Sequence, residues 1–90
     1  MSYGSVTVNS NTSIALVAQN PKRHSLLITN LGASVVFVGS DSSVTTATGI
    51  ALSSGSNLTE DASGTSIWGG DIYGIAGGGI ATVRFWERTR

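Results

Sequence analysis

Apolar and polar residues alternate in short stretches along most of this 90-residue chain. Alternation with a period of two residues is the pattern of a β-strand that has one buried and one exposed face. The clearest stretch is 80–86, whose two sides are Ile80, Thr82, Arg84 and Trp86 against Ala81, Val83, Phe85 and Glu87. Weaker alternation predicts further strands at 1–10, 12–17, 49–52, 57–59 and 71–76.

The densest apolar segment, residues 20–39, predicts a hairpin at the centre of the fold. Asn20-Pro21 interrupts any regular element that precedes it, because proline lacks a backbone donor and pushes the residue before it towards extended geometry. Residues 26–30 then form one strand and residues 35–38 its partner. Between them, residues 30–34 supply an asparagine and a glycine for the positive backbone angles of a tight turn.

Both of these strands are apolar at consecutive positions, namely Leu26-Leu27-Ile28 and Val35-Val36-Phe37-Val38. Consecutive apolar residues indicate that both faces of a strand are at least partly covered, as at the centre of a sandwich or at a subunit contact. Gly77-Gly78-Gly79 predicts a second hairpin turn, since three glycines tolerate the backbone angles that such turns use.

No window of the sequence has helical apolar spacing together with a helix cap. The prediction is therefore an all-β fold, a small antiparallel β-sandwich or flattened barrel of seven to eight short strands. Residues 1–90 form a single domain, in which residues 1–9 are an edge strand or an extended arm and residues 88–90 are a polar tail.

The charge balance narrows the classes of partner. Five basic and five acidic residues cancel, and the charged fraction of 11% is well below the roughly 25% of ordinary soluble domains. We therefore expect neither a nucleic-acid nor an anionic-membrane partner. Ser and Thr fill 24 positions, which fits either an ordinary β-domain exterior or a surface covered by copies of the chain or by a larger assembly.

The sequence offers few groups for catalysis or metal binding. It has no cysteine, and its one histidine, His24, accompanies no Gly-x-Ser-x-Gly nucleophile motif. The acidic residues are scattered without calcium-loop spacing. We expect no enzyme activity, no cofactor and no metal. No signal peptide or membrane span is expected either, because no apolar run is long enough.

Three large aromatic residues have two interpretations. Trp68, Tyr73 and Trp86 could form a platform on which sugar rings stack, or they could be core and interface residues. Arg84 shares a strand face with Trp86, which would allow a structural cation–aromatic contact.

Five segments of the chain carry a resemblance to a known family. They are Asn20-Pro21-Lys22-Arg23, 26–32, 35–39, 44–55 and Ile72-Tyr73-Gly74-Ile75. In this order they resemble a small β-domain of tailed-bacteriophage virion proteins, with an Asn-Pro-x-Arg start, an Ile-x-Asn-x-Gly hairpin, a Gly-Ile-x-Leu strand and a Tyr-Gly-Ile strand. The match runs from about residue 5 to residue 87, and as a free-standing chain it is similar to capsid decoration (cement) proteins and head-fibre or tail modules.

The resemblance implies a structural virion protein, made in the host bacterial cytoplasm, that binds the major capsid protein or another virion protein and stabilises the capsid surface. It also implies a homo-oligomer, and we expect a trimer, with a monomer or dimer as the alternative. Residues 1–9 are the expected capsid-contacting arm, removable without loss of the fold, with contacts through Ser2, Tyr3, Val6 and Val8.

The alternative implied function is a tail- or fibre-associated adsorption module that binds a host glycan or receptor. Its expected contact residues are Trp68, Tyr73 and Trp86.

Overall fold

The computed structural model describes residues 2–61 and 69–89, and this part of the chain contains strands and no helix. No helix that could span a membrane therefore occurs within these two ranges. The strands are β1 Ser2–Asn9, β2 Ile14–Val17, β3 Arg23–Asn30, β4 Val36–Gly39, β5 Ile50–Leu52, β6 Asn57–Asp61, β7 Ile72–Ala76 and β8 Ile80–Thr89. The predicted all-β class is confirmed, and each strand lies at or near a stretch where the apolar pattern predicted one.

The strands form two four-stranded antiparallel sheets that pack face to face. Sheet A has the order β1-β8-β3-β6 and sheet B the order β2-β7-β4-β5. Pairing is nested along the chain, because the first strand pairs with the last, the second with the seventh, the third with the sixth and the fourth with the fifth. This arrangement is that of an eight-stranded jelly roll.

The core lies between the sheets and is built from the inward-facing residues of each strand. Alternation puts every second residue of a strand inside, so the apolar positions of both sheets meet there. The buried apolar side chains of this layer are Val8, Leu16, Val17, Leu26, Ile28, Val36, Val38, Leu52, Ile72, Ala76, Ala81 and Val83, and Val6, Leu58 and Phe85 pack against them while partly buried.

The predicted central hairpin of residues 26–38 is wrong. β3 belongs to sheet A and β4 to sheet B, so the loop between them crosses from one sheet to the other. The buried side chain of Asn30 holds this crossing: its Nδ2 donates to the carbonyls of Ser34 at 2.8 Å and Leu52 at 2.9 Å. Its Oδ1 accepts the N–H of Gly32 at 2.9 Å. The asparagine thus satisfies loop backbone groups and adopts no positive φ.

The hairpin turn predicted at residues 77–79 is also wrong. These three glycines connect two different sheets, because β7 lies in sheet B and β8 in sheet A. Of the three, only Gly79 has a positive φ, at 67°. The N–H of Gly77 donates to the carbonyl of Val35 at 2.7 Å, and the Ser34 hydroxyl donates to the carbonyl of Gly78. The two crossing loops therefore support one another at one end of the sandwich.

A buried ion pair joins β3 and β8 at the opposite end of the sandwich. Arg23 is fully buried at the start of β3, and its Nε donates to Glu87 Oε2 on β8 at 2.6 Å. Its remaining donors reach the carbonyls of Ala18 at 2.8 Å and Gly70 at 3.2 Å, which lie in the segments after β2 and before β7. The Arg23 side chain on sheet A therefore hydrogen-bonds to the segments that follow β2 and precede β7 of sheet B. The predicted polar tail at 88–90 begins too early, because β8 continues to Thr89.

Candidate binding surface

The outer face of sheet A carries large aromatic side chains that the core does not use. Trp86 on β8 lies directly opposite Tyr3 on β1 and, on its other side, opposite Leu27 on β3. Tyr3 is 84% exposed and Trp86 is 51% exposed. Directly opposite residues of antiparallel strands have their Cβ atoms about 5 Å apart. These three side chains therefore form one continuous apolar row across three strands.

A second row, two residues along each strand, is polar and cationic. Arg84 lies between Ser5 on β1 and Thr29 on β3, and the Thr29 hydroxyl donates to Asn57 Oδ1 at 2.8 Å. The two rows border a shallow groove of about 430 Å³. We call this surface the aromatic face and define it by the five side chains that line the groove on the outer side of sheet A: Tyr3, Leu27, Thr29, Arg84 and Trp86.

Two arginines of β8 lie on this side of the molecule. Arg84 and Arg88 project from the same side of β8 as Trp86. Three of the acidic side chains are engaged elsewhere. Glu87 binds Arg23, and Asp71 accepts the N–H of Gln19 at 2.7 Å.

The third is Asp41, in the loop after β4. Its Oδ1 accepts both the N–H of Ser43, at 2.9 Å, and the Ser43 hydroxyl. These hydrogen bonds stabilise the ionised carboxylate and hold the pKa of Asp41 below its ordinary value. Asp41 is therefore a loop-ordering anion far along the chain from the arginines of β8.

The structure brings together two of the residues predicted as contacts, Tyr3 and Trp86. Val8 is a wrong prediction, because its side chain is 0% exposed in the core, and Val6 also packs against the core. Both belong to β1. Of the two alternatives predicted for residues 1–9, an edge strand or an extended arm, the structure shows the edge strand. Ser2 begins β1 opposite Glu87.

The predicted platform of three aromatic rings is wrong for Tyr73 and Trp86, the two members that lie among the described residues. Tyr73 projects from the outer face of sheet B, since its neighbours Ile72 and Gly74 are buried between the sheets. It therefore faces away from Trp86 across the thickness of the sandwich. Trp68, the third member, lies outside the described residues.

Leu27 and Thr29 are parts of the aromatic face that the sequence did not assign to a site. A signal for Leu27 was present, because the consecutive apolar residues 26–28 predict a strand covered on both sides. Leu26 and Ile28 are buried in the core, whereas Leu27 is only half-buried and lies on the outer face. The extra apolar residue of the run is therefore a surface feature.

A second cleft, of about 480 Å³, opens at the edge of the sandwich beside the loop after β4. Apolar side chains line it, including Val38, Val44 and Ile50, and Asp41 and Ser43 lie at its rim. Because these two polar residues bind each other, they are occupied within their own loop. Asp41 Oδ1 therefore orders the loop at the rim of this cleft.

The residue types of the aromatic face are those of protein interfaces. Within residues 2–61 and 69–89, no group of three or more His, Cys, Asp or Glu side chains could hold a metal ion. Trp, Tyr and Arg are the residue types that dominate the energetics of protein interfaces. The aromatic face presents one of each, side by side on sheet A. No family model, no curated protein and no solved structure matches this chain.

Proposed function

We propose that this chain is a structural protein that attaches to another protein through the aromatic face, and that its setting is the capsid surface of a virion. The observation that supports binding at this face is the exposed pair of Tyr3 and Trp86 beside Leu27. Large rings left exposed on a monomer are costly in water unless something covers them, so contiguous apolar surface favours an interaction site.

Protein contact fits the shape and chemistry of the aromatic face. The exposed face of a sheet can bury area against another folded surface, and the apolar row supplies the centre of such a contact. Arg84 and the hydroxyl of Thr29 provide a polar rim beside it. A modest face of this kind is effective when many copies bind a repeating shell and their contacts act together.

The virion setting rests on the sequence resemblance, from Asn20-Pro21-Lys22-Arg23 to Ile72-Tyr73-Gly74-Ile75. The jelly roll is compatible with this setting, because viral capsid domains use it, but lectin domains and cupins use it as well. A fold alone does not assign a function. The proposal therefore depends on the surface and on the test below.

The test is binding to shells assembled from a major capsid protein encoded in the same genome as this chain, measured by co-sedimentation. We expect Trp86→Ser and Tyr3→Ser each to weaken binding by about tenfold or more, as expected for central aromatic residues. Tyr73→Ser is the matched control, because it removes a ring from the outer face of sheet B, and it should bind as the wild type does. Absence of binding, or equal loss in all three variants, would contradict the proposal.

A glycan-binding adsorption module is the second candidate, and one observation favours it. The two exposed rings lie beside hydrogen-bonding side chains, Arg84 and Thr29, which is the combination that sugar-binding surfaces use. In this case, host-surface oligosaccharides should bind the wild type and lose affinity in Trp86→Ser. Shells should then show no binding.

A further inference from the structure

β1 differs from the other strands that lie at sheet edges. The sheet orders place β1 and β6 at the edges of sheet A, and β2 and β5 at the edges of sheet B. β1 is eight residues long and contains no charged residue and no proline. Its register with β8 runs without a shift from Ser2 to Asn9. An edge strand of this kind is a template for pairing with another strand.

Each of the other three edges has a feature that opposes such pairing. β5 has three residues and β2 has four, with a register shift between Ala15 and Val17. β6 ends in Glu60-Asp61, and charged residues are a usual protection of an edge. Of the described strands, β1 is therefore the one whose edge is both long and unprotected.

Within the described residues, the outer edge of β1 also has no strand paired to it. In a four-stranded sheet, a terminal strand pairs on one side only, and β1 pairs with β8. No other backbone–backbone hydrogen bond among the described residues involves residues 2–9. Alternate N–H and C=O groups along β1 are therefore available to a strand from outside.

We propose that this edge pairs with β1 of a second copy of the chain. The two strands run antiparallel about a two-fold axis at Ser5 and join two copies of sheet A into one sheet of eight strands. A contact of this symmetry uses the same surface on both subunits, so it needs no other protein. The inference is independent of the partner in the proposed function.

The sequence of β1 is complementary to itself in this register. Residues opposite each other must lie on the same side of the sheet, and an axis at Ser5 satisfies this. On the outer side, Tyr3 then faces Thr7 of the second copy, and on the inner side Gly4 faces Val6 of the second copy. Each large side chain therefore meets a smaller one, and no like charges meet.

The pairing has a consequence for the aromatic face. Tyr3 lies next to the new junction, so the two aromatic faces become adjacent parts of one continuous surface. Val6, which is only partly buried in one copy, gains cover from the second copy. A dimer would thus present two binding faces on one side of a single sheet.

The test is the mass of the full chain in solution, measured by sedimentation equilibrium over a wide range of concentrations. The wild type should change from 9.2 kDa to twice that mass as concentration rises. Ser5→Lys should remain at the monomer mass, because it places two like charges at the axis. Thr29→Lys is the matched control: Thr29 and Ser5 flank Arg84 from opposite sides, but Thr29 is on an inner strand. It should dimerise as the wild type does.

A wild type that stays monomeric, forms a trimer, or dimerises equally well with Ser5→Lys would overturn the inference. If Ser5→Lys does not fold, hydrogen exchange of the wild type decides the question. The alternate amides of residues 2–8 that point away from β8 should gain protection as concentration rises, while those of the β5 edge, Ile50–Leu52, should not. Equal protection at all concentrations would also overturn it.

Discussion

At the scale of single residues, the positions that look chemically active in the sequence are mostly structural. Arg23, the charged residue of the Asn-Pro-x-Arg segment, is fully buried and binds Glu87 and two carbonyls. Asn30 is a buried clamp for the loop between the sheets. Both donate to backbone carbonyls in the connecting segments and at strand ends.

The ion pair predicts an asymmetric response to mutation. Glu87→Leu leaves the Arg23 charge buried without its carboxylate, which should lower the free energy of unfolding by about 3–5 kcal/mol. The double variant Arg23→Met/Glu87→Leu removes both charges and should recover most of that loss. Urea unfolding of both variants measures this. A single variant that loses less than about 1 kcal/mol, or a double variant as unstable as the single one, would contradict it.

Gly32 predicts a steric effect at a loop position. A Cβ on Gly32 would lie 2.5 Å from Ala81 Cα and 2.6 Å from Ala81 Cβ, both on a central strand. Gly32→Ala should therefore destabilise the fold by about 1–3 kcal/mol. Gly78→Ala is the matched control, because nothing lies within 4 Å of its added Cβ, and it should change stability by less than about 0.5 kcal/mol. Equal thermal unfolding of the two variants would refute this steric account.

At the scale of elements, the sequence predicted where the strands lie but not which strands pair. Alternation is a local property, and it assigned both faces of β8 correctly: Ala81 and Val83 are buried, while Arg84 and Trp86 are exposed. The turns at residues 30–34 and 77–79 contain the residues of hairpin turns, yet both connect different sheets. Asparagine and glycine permit either connection, so local chemistry cannot distinguish them.

The nested pairing also explains why the aromatic face was only partly predictable. Tyr3 and Trp86 are more than eighty positions apart and become neighbours only because the first strand pairs with the last. Leu27 joins them because β3 pairs on the other side of β8. The sequence showed exposed sides of single strands, whereas the site consists of three strands whose order depends on long-range contacts.

The placement of β1 gives a prediction that differs from that of a removable arm. Deleting residues 1–9 removes the buried side chain of Val8 and exposes the edge of β8 along its pairing with β1. The shortened chain should lose cooperative unfolding and its dispersed amide NMR spectrum. Ser5→Ala/Thr7→Ala changes only exposed side chains of the same strand and should stay folded. A folded deletion variant of wild-type stability would contradict the structure of this edge.

At the scale of the whole molecule, the side chains that form the core are distinct from those that line the aromatic face. The interior is closed by aliphatic side chains from both sheets, and Phe85 packs against it from β8. The neighbouring residue Trp86 points the other way, into the aromatic face. A neutral chain of low charge can be present in many copies without strong repulsion, which suits repeated contacts on a large assembly.

The measurement that tests this separation most directly is the unfolding free energy of the Tyr3→Ser/Trp86→Ser double variant, compared with Phe85→Ser. The account predicts a loss of about 1 kcal/mol or less for the double variant, since it removes one exposed cross-strand pair. Phe85→Ser should lose about 3 kcal/mol or more, because its ring packs against the core. A double variant as unstable as Phe85→Ser would show that these rings hold the fold together, which would contradict the account.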